Sequence, residues 1–289
     1  MNYQVLDVKV KDTEETAKLY TYFLDNSREI APERVRPVIV ICPGGGYEWV
    51  SEREAEPIAL KFVGAGYHAV VLHYSVAPAA HYPTALCQLA WTVAHLREHA
   101  AEYHIDPNKV VVAGFSAGGH LAAMASTLWN RTLPEEAENP LKNISSRPDF
   151  SMLIYPVISM APHTTHGGTR NKILGLHPSP ALEEMCSAER QVTEQTPPVF
   201  LVHALDDGVS CANSRLMEQA CRNKGVPVSL NLYPTGGHGY GMEKRGHPTD
   251  QWPEAAEQWL REQGFLPSPA SARRGAPSGA GTSSGTRRE

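Results

Sequence analysis

Short apolar runs alternate with longer helical patterns along the chain from about residue 35 onward. Strands that alternate with helices pair in parallel, because each helix returns the chain to the start of the next strand. Two earlier runs, 3–10 and 19–24, alternate polar and apolar residues, which is typical of an antiparallel pair at a sheet edge. The pattern predicts an α/β fold of about eight strands in a mostly parallel sheet flanked by helices. The six predicted core strands are 36–42, 68–74, 109–115, 151–157, 198–205 and 228–233.

The chain has 289 residues, of which 42% are apolar and 20% charged, as in ordinary globular proteins. We expect one domain over residues 1–266, since α/β folds often use such a length as a unit. Residues 267–289 contain no aromatic residue and no Val, Ile or Leu. They cannot offset an ordering cost of about 1–2 kcal/mol per residue, so we expect a disordered C-terminal tail. The long connection 158–197 is either a lid or substrate wall, or a surface excursion.

Charge and cysteine content exclude several partner classes. The formal net charge of −5 argues against a nucleic-acid partner. No apolar run reaches the roughly 18 residues that a bilayer span needs, and the first residues do not resemble a secretory signal. The five cysteines are scattered and form no C-x-x-C pair, so neither a disulfide framework nor a thiolate zinc site is expected. We expect a cytoplasmic protein without a membrane partner.

The strongest chemical signal is a G-x-S-x-G motif, residues 114–118, between a predicted strand and a predicted helix. This strand–turn–helix context is the one the motif requires. Gly114 and Gly118 leave room for a sharp turn, which lifts the Ser116 hydroxyl above the sheet. We therefore predict that Ser116 is a nucleophile.

A serine hydroxyl needs a neighbouring base, and that base needs an orienting acid. Chains that use this turn carry the acid and then the histidine after the serine. His238, in a glycine-rich loop after the last strand, is the predicted base. Asp206 and Asp207 both follow the preceding strand. We predict Asp206, because D-x-x-V spacing places it at the strand end with Val209 packed beneath the turn; Asp207 is the alternative acid and otherwise a candidate substrate contact.

An oxyanion formed by attack on an acyl carbonyl needs preorganised N–H donors. Ala117, directly after the nucleophile, supplies the first. Consecutive glycines in the loop after the first core strand can turn their N–H groups inward, so Gly45 and Gly46 are the other candidates. This chemistry needs no cofactor.

Three segments resemble the hormone-sensitive-lipase-like esterases of the α/β-hydrolase superfamily. They are P-G-G-G at 43–46, Y-S-V-A-P at 74–78 and G-F-S-A-G-G at 114–119. Pro43 stands where that family has the histidine of its H-G-G-G loop. The resemblance implies the α/β-hydrolase fold and a serine esterase mechanism.

A closer resemblance is to bacterial acetyl-xylan-esterase-like enzymes, and it covers residues 37–266. It is carried by C-P-G-G-G-Y at 42–47, H-G-G-T-R-N-K-I-L-G at 166–175, H-x-x-D-D at 203–207 and G-G-H-G-Y-G at 236–241. It implies removal of acetyl groups from hemicellulose-derived oligosaccharides through an acyl-enzyme. A generalist short-chain carboxylesterase, an arylformamidase and a non-catalytic ligand receptor remain alternatives. The expected partner is a small-molecule or oligosaccharide ester, and self-association is left open.

Further substrate contacts are open to two interpretations. Tyr47 and Trp49 follow the glycine triplet and either stack on a sugar ring or pack within the loop. His166 and Asn171 either shape the acyl or alcohol pocket or hold the long connection in place. No metal site is expected from the irregularly spaced histidines of 158–197, which are His163, His166 and His177.

Overall fold

The computed structural model describes residues 1–10, 15–131, 141 and 143–265, and within them eight strands form one sheet. The strand order is β1-β2-β4-β3-β5-β6-β7-β8. β2 pairs antiparallel with β1 and β4, and the other neighbours are parallel. The predicted α/β fold with a mostly parallel sheet is thus confirmed, while the predicted tail lies outside the described residues. The strands are β1 (Asn2–Lys9), β2 (Thr16–Phe23), β3 (Arg36–Cys42), β4 (His68–His73), β5 (Ile105–Phe115), β6 (Phe150–Ile154), β7 (Val199–Ala204) and β8 (Val228–Tyr233).

Helices cover both faces of the sheet. The α-helices of the described residues are α1 (Glu56–Gly64), α2 (Thr84–Glu98), α3 (Ala100–Tyr103), α4 (Ala117–Leu128), α5 (Gly167–Leu174), α6 (Pro180–Met185), α7 (Ala212–Asn223) and α8 (Trp252–Glu262). Successive side chains of β3 point to opposite faces, so Val38 and Val40 pack with α2, α4 and α7, whereas Ile39 and Ile41 pack with α1 and α8. Within the described part of the chain, no helix combines the length and apolarity needed to cross a bilayer.

Among the six core strands, two boundaries differ from the expected ones by more than one residue, and β2 begins at Thr16, three residues before its predicted start. β5 begins at Ile105, four residues before the predicted start, because Arg36 pairs with Ile105 and its N–H donates to the His104 carbonyl. β6 ends at Ile154, three residues before the predicted end, because Tyr155 has a φ of +38° and leaves the extended conformation. The carboxyl ends of the parallel strands all meet at one sheet edge, where the predicted functional loops begin.

Helix α4 begins in close contact with the end of β3. A Cβ on Gly118 would lie 2.0 Å from the Cys42 carbonyl oxygen and 2.3 Å from that of Pro43. A Cβ on Gly114 would lie 2.1 Å from the Gly118 carbonyl oxygen. Both glycines of the motif are therefore required by backbone packing, as the sharp turn predicted.

We expect Gly118→Ala to lower the free energy of unfolding by about 3 kcal/mol or more, because the clash is with backbone atoms that cannot rotate away. Urea unfolding followed by circular dichroism measures this change. Gly64→Ala is the matched control, since a Cβ there meets nothing within 4 Å. The control should be neutral or stabilising by up to about 1 kcal/mol, and equal stability of the two variants would contradict the packing account.

His120 of α4 joins three parts of the fold from a position that is 1% exposed. Its Nε2 donates to the Cys186 carbonyl at 2.8 Å, so its Nδ1 accepts from the Tyr47 hydroxyl at 3.0 Å. The neutral ring satisfies both partners, and a second ring proton would meet the Tyr47 hydroxyl. Burial lowers the pKa of His120 to about 4.

This buried histidine should make stability depend on pH. In the unfolded chain the His120 imidazole has an ordinary pKa near 6.5 and is protonated below that pH. In the folded state the same imidazole is not protonated until the pH falls to about 4. The contribution is therefore complete above pH 6.5 and is lost as the pH falls, by up to about 1.4 kcal/mol per pH unit. Urea unfolding of the wild type and of His120→Gln between pH 4.5 and 7.5 should give a shallower slope for the variant. Identical slopes would contradict this assignment.

Candidate active site

Ser116 occupies the turn between β5 and α4 with a φ of +54° and a ψ of −116°. Non-glycine residues adopt such left-handed backbone only where the surroundings hold it, at a cost of about 1–3 kcal/mol. Its N–H donates to the Ile154 carbonyl at 3.1 Å, and its carbonyl accepts from the N–H groups of His120 and Val157 at 3.2 and 3.0 Å. These bonds fix the backbone and leave the side chain at the cavity wall.

His238 lies within hydrogen-bond distance of this serine. The loop that carries it, residues 234–247 after β8, is called the histidine loop below. His238 Nε2 is 2.8 Å from Ser116 Oγ, and the ring packs edge-on against Tyr155 with centroids 4.9 Å apart. The structure thus brings together the predicted nucleophile and the predicted base, from positions 122 residues apart in the chain.

Asp207, and not Asp206, orients the histidine. Asp207 Oδ2 is 2.9 Å from His238 Nδ1, and its side chain is fully buried. Asp206 is exposed, and its Oδ1 accepts from the Gly237 N–H at 2.8 Å. The prediction of Asp206 is wrong because the turn after β7 closes through the Asp207 N–H and the Ala204 carbonyl, which directs the second carboxylate inward.

Asp207 is held from its other side by two groups that the strand end supplies. The Val209 N–H donates to Oδ1 at 2.7 Å, and His203 Nε2 lies 3.5 Å from Oδ2 while donating to the Val209 carbonyl at 2.9 Å. His203 Nδ1 accepts from the Ser214 hydroxyl at 2.8 Å. Burial lowers the pKa of His203 despite the nearby carboxylate, so the ring is neutral near pH 7. Its single ring proton, on Nε2, is donated to the Val209 carbonyl, so the ring holds the turn whose Val209 N–H binds Asp207.

The candidate oxyanion donors lie around Ser116. Ala117 is the first residue of α4, where backbone N–H groups have no partner within the helix. Gly45 and Gly46, with φ of +120° and +67°, line the cavity beside Ser116. They belong to residues 43–51 after β3, called the oxyanion loop below. The Gly45 carbonyl accepts from the N–H groups of Glu48 and Trp49, which closes the loop into a tight turn.

These elements surround a cavity of about 180 Å³. The volume is below the range of about 300–1,000 Å³ that is usual for drug-sized ligands, so it suits a small acyl group. Part of the connection 158–197 lies in the cavity wall, since His166 and Thr169 belong to it and line the cavity. The lining residues are Gly45, Gly46, Trp49, Ser51, Arg53, Glu54, Ser116, His166, Thr169, Val209, His238 and Gly239.

The predicted substrate contacts divide into two groups. Trp49, which is 56% exposed, and His166 line the cavity. His166 also caps α5, because its Nδ1 accepts from the Thr169 N–H. Tyr47 is buried, with its hydroxyl on His120, and Asn171 is an exposed residue outside the cavity lining. Tyr47 is therefore wrong as a substrate contact, because its side chain is buried, and so is Asp207, because its buried carboxylate binds His238. Asn171 stays a prediction.

Sequence reasoning missed Glu54, a buried carboxylate in the cavity wall. It lies in a run of charged residues that is typical of a solvated surface, so no local signal marks it. The close spacing of His203 and Asp207 was a usable signal, because a strand end and a tight turn place the two near each other.

One group of potential metal ligands occurs within the described residues. His95 and Glu98 of α2, and His99 directly after it, have ligand atoms within 4.8 Å of one another. This group lies toward the end of α2 that leads to the start of β5, and so at the sheet edge opposite Ser116. The cavity chemistry does not involve it.

The site contains the groups that acyl transfer requires. A hydroxyl is hydrogen-bonded to an imidazole and the imidazole to a buried carboxylate, while Gly45 and Gly46 line the same cavity and a helix starts directly after the serine. This arrangement supplies a nucleophile, a general base and donors for a developing negative charge.

Several known proteins are similar to this chain in sequence. An acetylxylan esterase of Xylanibacter ruminicola is 31% identical over 237 residues, which are 80% of this chain and 46% of that protein. Endo-1,4-beta-xylanase B of Butyrivibrio fibrisolvens is 33% identical over 208 residues, 71% of this chain and 32% of that protein. The chain thus spans less than half the length of these two relatives.

Solved structures match over nearly their whole length. An acetyl ester-xyloside bifunctional hydrolase from Caldicellulosiruptor lactoaceticus has a TM-score of 0.83 and 33% identity, with 91% of this chain and 97% of that chain covered. The carboxylesterase Cest-2923 from Lactobacillus plantarum has a TM-score of 0.79 and 30% identity, with 92% and 99% covered. The family model described as BD-FAE matches residues 28–221. The chain therefore belongs to the BD-FAE family and has the α/β-hydrolase fold of its esterase relatives.

Proposed function

We propose that the protein is a serine carboxylic ester hydrolase that removes short acyl groups, mainly acetyl, from hemicellulose-derived oligosaccharides. The observation that carries this proposal is the unbroken hydrogen-bonded series from Asp207 through His238 to Ser116 at the wall of a small cavity. The names of the relatives, which include an acetylxylan esterase and an acetyl ester-xyloside hydrolase, support the choice of acetylated sugars.

In the proposed reaction, Ser116 Oγ attacks the acyl carbonyl carbon while His238 Nε2 takes the hydroxyl proton. Asp207 keeps the imidazole in the reactive tautomer and stabilises its charged form. The N–H groups of Ala117 and of Gly45 or Gly46 bind the oxyanion. Collapse of the tetrahedral intermediate breaks the bond to the sugar oxygen, which leaves with the proton from His238. Water then attacks the acyl-enzyme with His238 as base, and acetate is released.

The preference for short acyl groups follows from the space beside Ser116. A cavity of about 180 Å³ also has to admit the reacting carbonyl and the first atoms of the alcohol. The exposed face of Trp49 at the cavity gives a flat apolar surface for a sugar ring, which amphipathic aromatic side chains commonly contact. We therefore assign the sugar, as the leaving alcohol, to the side of the cavity that carries Trp49.

We expect the purified protein to release acetyl groups from acetylated xylo-oligosaccharides, with successive losses visible by mass spectrometry. Ser116→Ala should lower turnover by about 10⁶. Acetylated manno-oligosaccharide, p-nitrophenyl acetate and N-formylkynurenine are the comparison substrates. Hydrolysis of p-nitrophenyl acetate alone would indicate a generalist carboxylesterase, and preference for N-formylkynurenine an arylformamidase. Failure to react with a fluorophosphonate would indicate a non-catalytic receptor.

The two neighbouring aspartates give a matched pair of variants. Asp207→Asn should lower kcat by about 10⁴, because the amide no longer stabilises the charged imidazole in the correct tautomer. Asp206→Asn retains an oxygen that can accept from Gly237 at an exposed position, so kcat should fall less than about tenfold. Steady-state kinetics on p-nitrophenyl acetate, with circular dichroism to check folding, measures both. The reverse order of effects would contradict the assignment of Asp207.

A further inference from the structure

We propose that Glu54 is a positioning residue that links the oxyanion loop to the histidine loop. It thereby fixes the positions of the oxyanion N–H donors and of the His238 imidazole relative to Ser116. The proposal rests on the esterase function proposed above. It adds a role that neither the triad nor the oxyanion donors fill, because Glu54 acts on them through the backbone and through one tyrosine.

Both oxygens of the Glu54 carboxylate are engaged by donors from different loops. Oε2 accepts from the Gly44 N–H at 2.8 Å, and Oε1 accepts from the Tyr155 hydroxyl at 2.8 Å. The residue is 3% exposed, so these bonds face little competition from water. Hydrogen bonds to an ionised acceptor are roughly twice as strong as neutral ones.

The contact with Gly44 controls the oxyanion loop directly. Gly44 immediately precedes the two candidate donors Gly45 and Gly46. A Cβ on Gly44 would lie 2.6 Å from Glu54 Oε2 and 2.9 Å from Ser116 Cβ, so only glycine allows the carboxylate to approach this closely beside the nucleophile. Any shift of Gly44 would move the next N–H relative to Ser116.

The contact with Tyr155 extends to the histidine loop. The Tyr155 hydroxyl accepts from the Gly241 N–H at 3.0 Å, and the ring supports the edge of His238. Trp252 Nε1 donates to the Gly241 carbonyl at 2.8 Å and holds the same residue from α8. The series Gly44, Glu54, Tyr155 and Gly241 therefore joins the two loops on either side of the serine.

Two physical effects give opposite expectations for neutralising Glu54. A buried carboxylate near the oxyanion repels its negative charge, so charge removal alone would raise kcat. If Glu54 acts by positioning, its replacement by glutamine should instead lower kcat. Gly44 N–H and the Tyr155 hydroxyl are both donors, and a glutamine offers only one accepting oxygen, so one buried group loses its partner. We infer that the displacement of the two loops lowers kcat by more than the removal of the repulsion between the carboxylate and the oxyanion raises it.

The test is a double-mutant cycle with Glu54→Gln, Tyr155→Phe and the pair, measured on p-nitrophenyl acetate. Each single variant should lower kcat by about 10- to 100-fold, somewhat less than removal of an oxyanion donor, with KM changed less than about threefold. Affinity for an alkyl boronic acid, which mimics the tetrahedral intermediate, should fall in parallel with kcat. The double variant should lose less than the product of the two single losses, since the two groups act as a unit.

A second hydrogen-bonded Glu–Tyr pair, Glu56 and Tyr22, provides the control. The Tyr22 hydroxyl donates to Glu56 Oε1 at 3.2 Å, away from the cavity lining. Glu56→Gln and Tyr22→Phe should retain the wild-type kcat and boronate affinity. Thermal unfolding of every variant shows whether it is folded at the assay temperature. If Glu54→Gln is unfolded, Tyr155→Phe, which removes only one hydroxyl, still tests the proposal.

The outcomes separate this proposal from the proposed function. Wild-type protein that neither hydrolyses the ester nor reacts with a fluorophosphonate overturns both. An active wild type together with folded Glu54→Gln and Tyr155→Phe variants of unchanged or higher kcat overturns the role of Glu54 alone. Equal losses in the Glu56 and Tyr22 variants would also overturn it, because the effect would then be general.

Discussion

The left-handed backbone of Ser116 is the constraint on which the rest of the site depends. The turn from β5 into α4 has to be completed within one residue, because α4 starts against the carbonyl groups at the end of β3. Glycines at 114 and 118 allow this approach, and bonds from Ile154, His120 and Val157 hold the turn. The hydroxyl is thereby presented at the sheet edge where the other loops converge, without a flexible segment of its own.

Two buried carboxylates lie near this serine, and both oxygens of each accept hydrogen bonds. The Asp207 carboxylate accepts from His238 Nδ1 and the Val209 N–H, and the Glu54 carboxylate accepts from the Gly44 N–H and the Tyr155 hydroxyl. A buried charge without such donors would be strongly destabilising. The donors also define the direction of each carboxylate, so the electrostatic requirement of burial and the geometric requirement of catalysis are met by the same bonds.

The fold could be predicted from sequence because strand and helix periodicities are local properties. The sheet, the Ser116 turn and the glycine-rich loop of His238 all follow from short patterns. The choice between Asp206 and Asp207 could not be made this way, since adjacent residues in a turn point in opposite directions and the direction depends on how the turn closes on Ala204. Tyr47 and Glu54 show the same limit, because their burial results from contacts with His120 and Tyr155, which are distant in sequence.

Covalent catalysis by Ser116 is the central claim, and trapping the intermediate tests it most directly. Wild-type protein turning over an excess of acetyl ester is quenched in acid within milliseconds and digested, and its peptides are mapped by mass spectrometry. We expect one acetyl group on the peptide that contains Ser116, located on that side chain, and none without substrate. Turnover with Ser116 unmodified and the acetyl group on another side chain would contradict it.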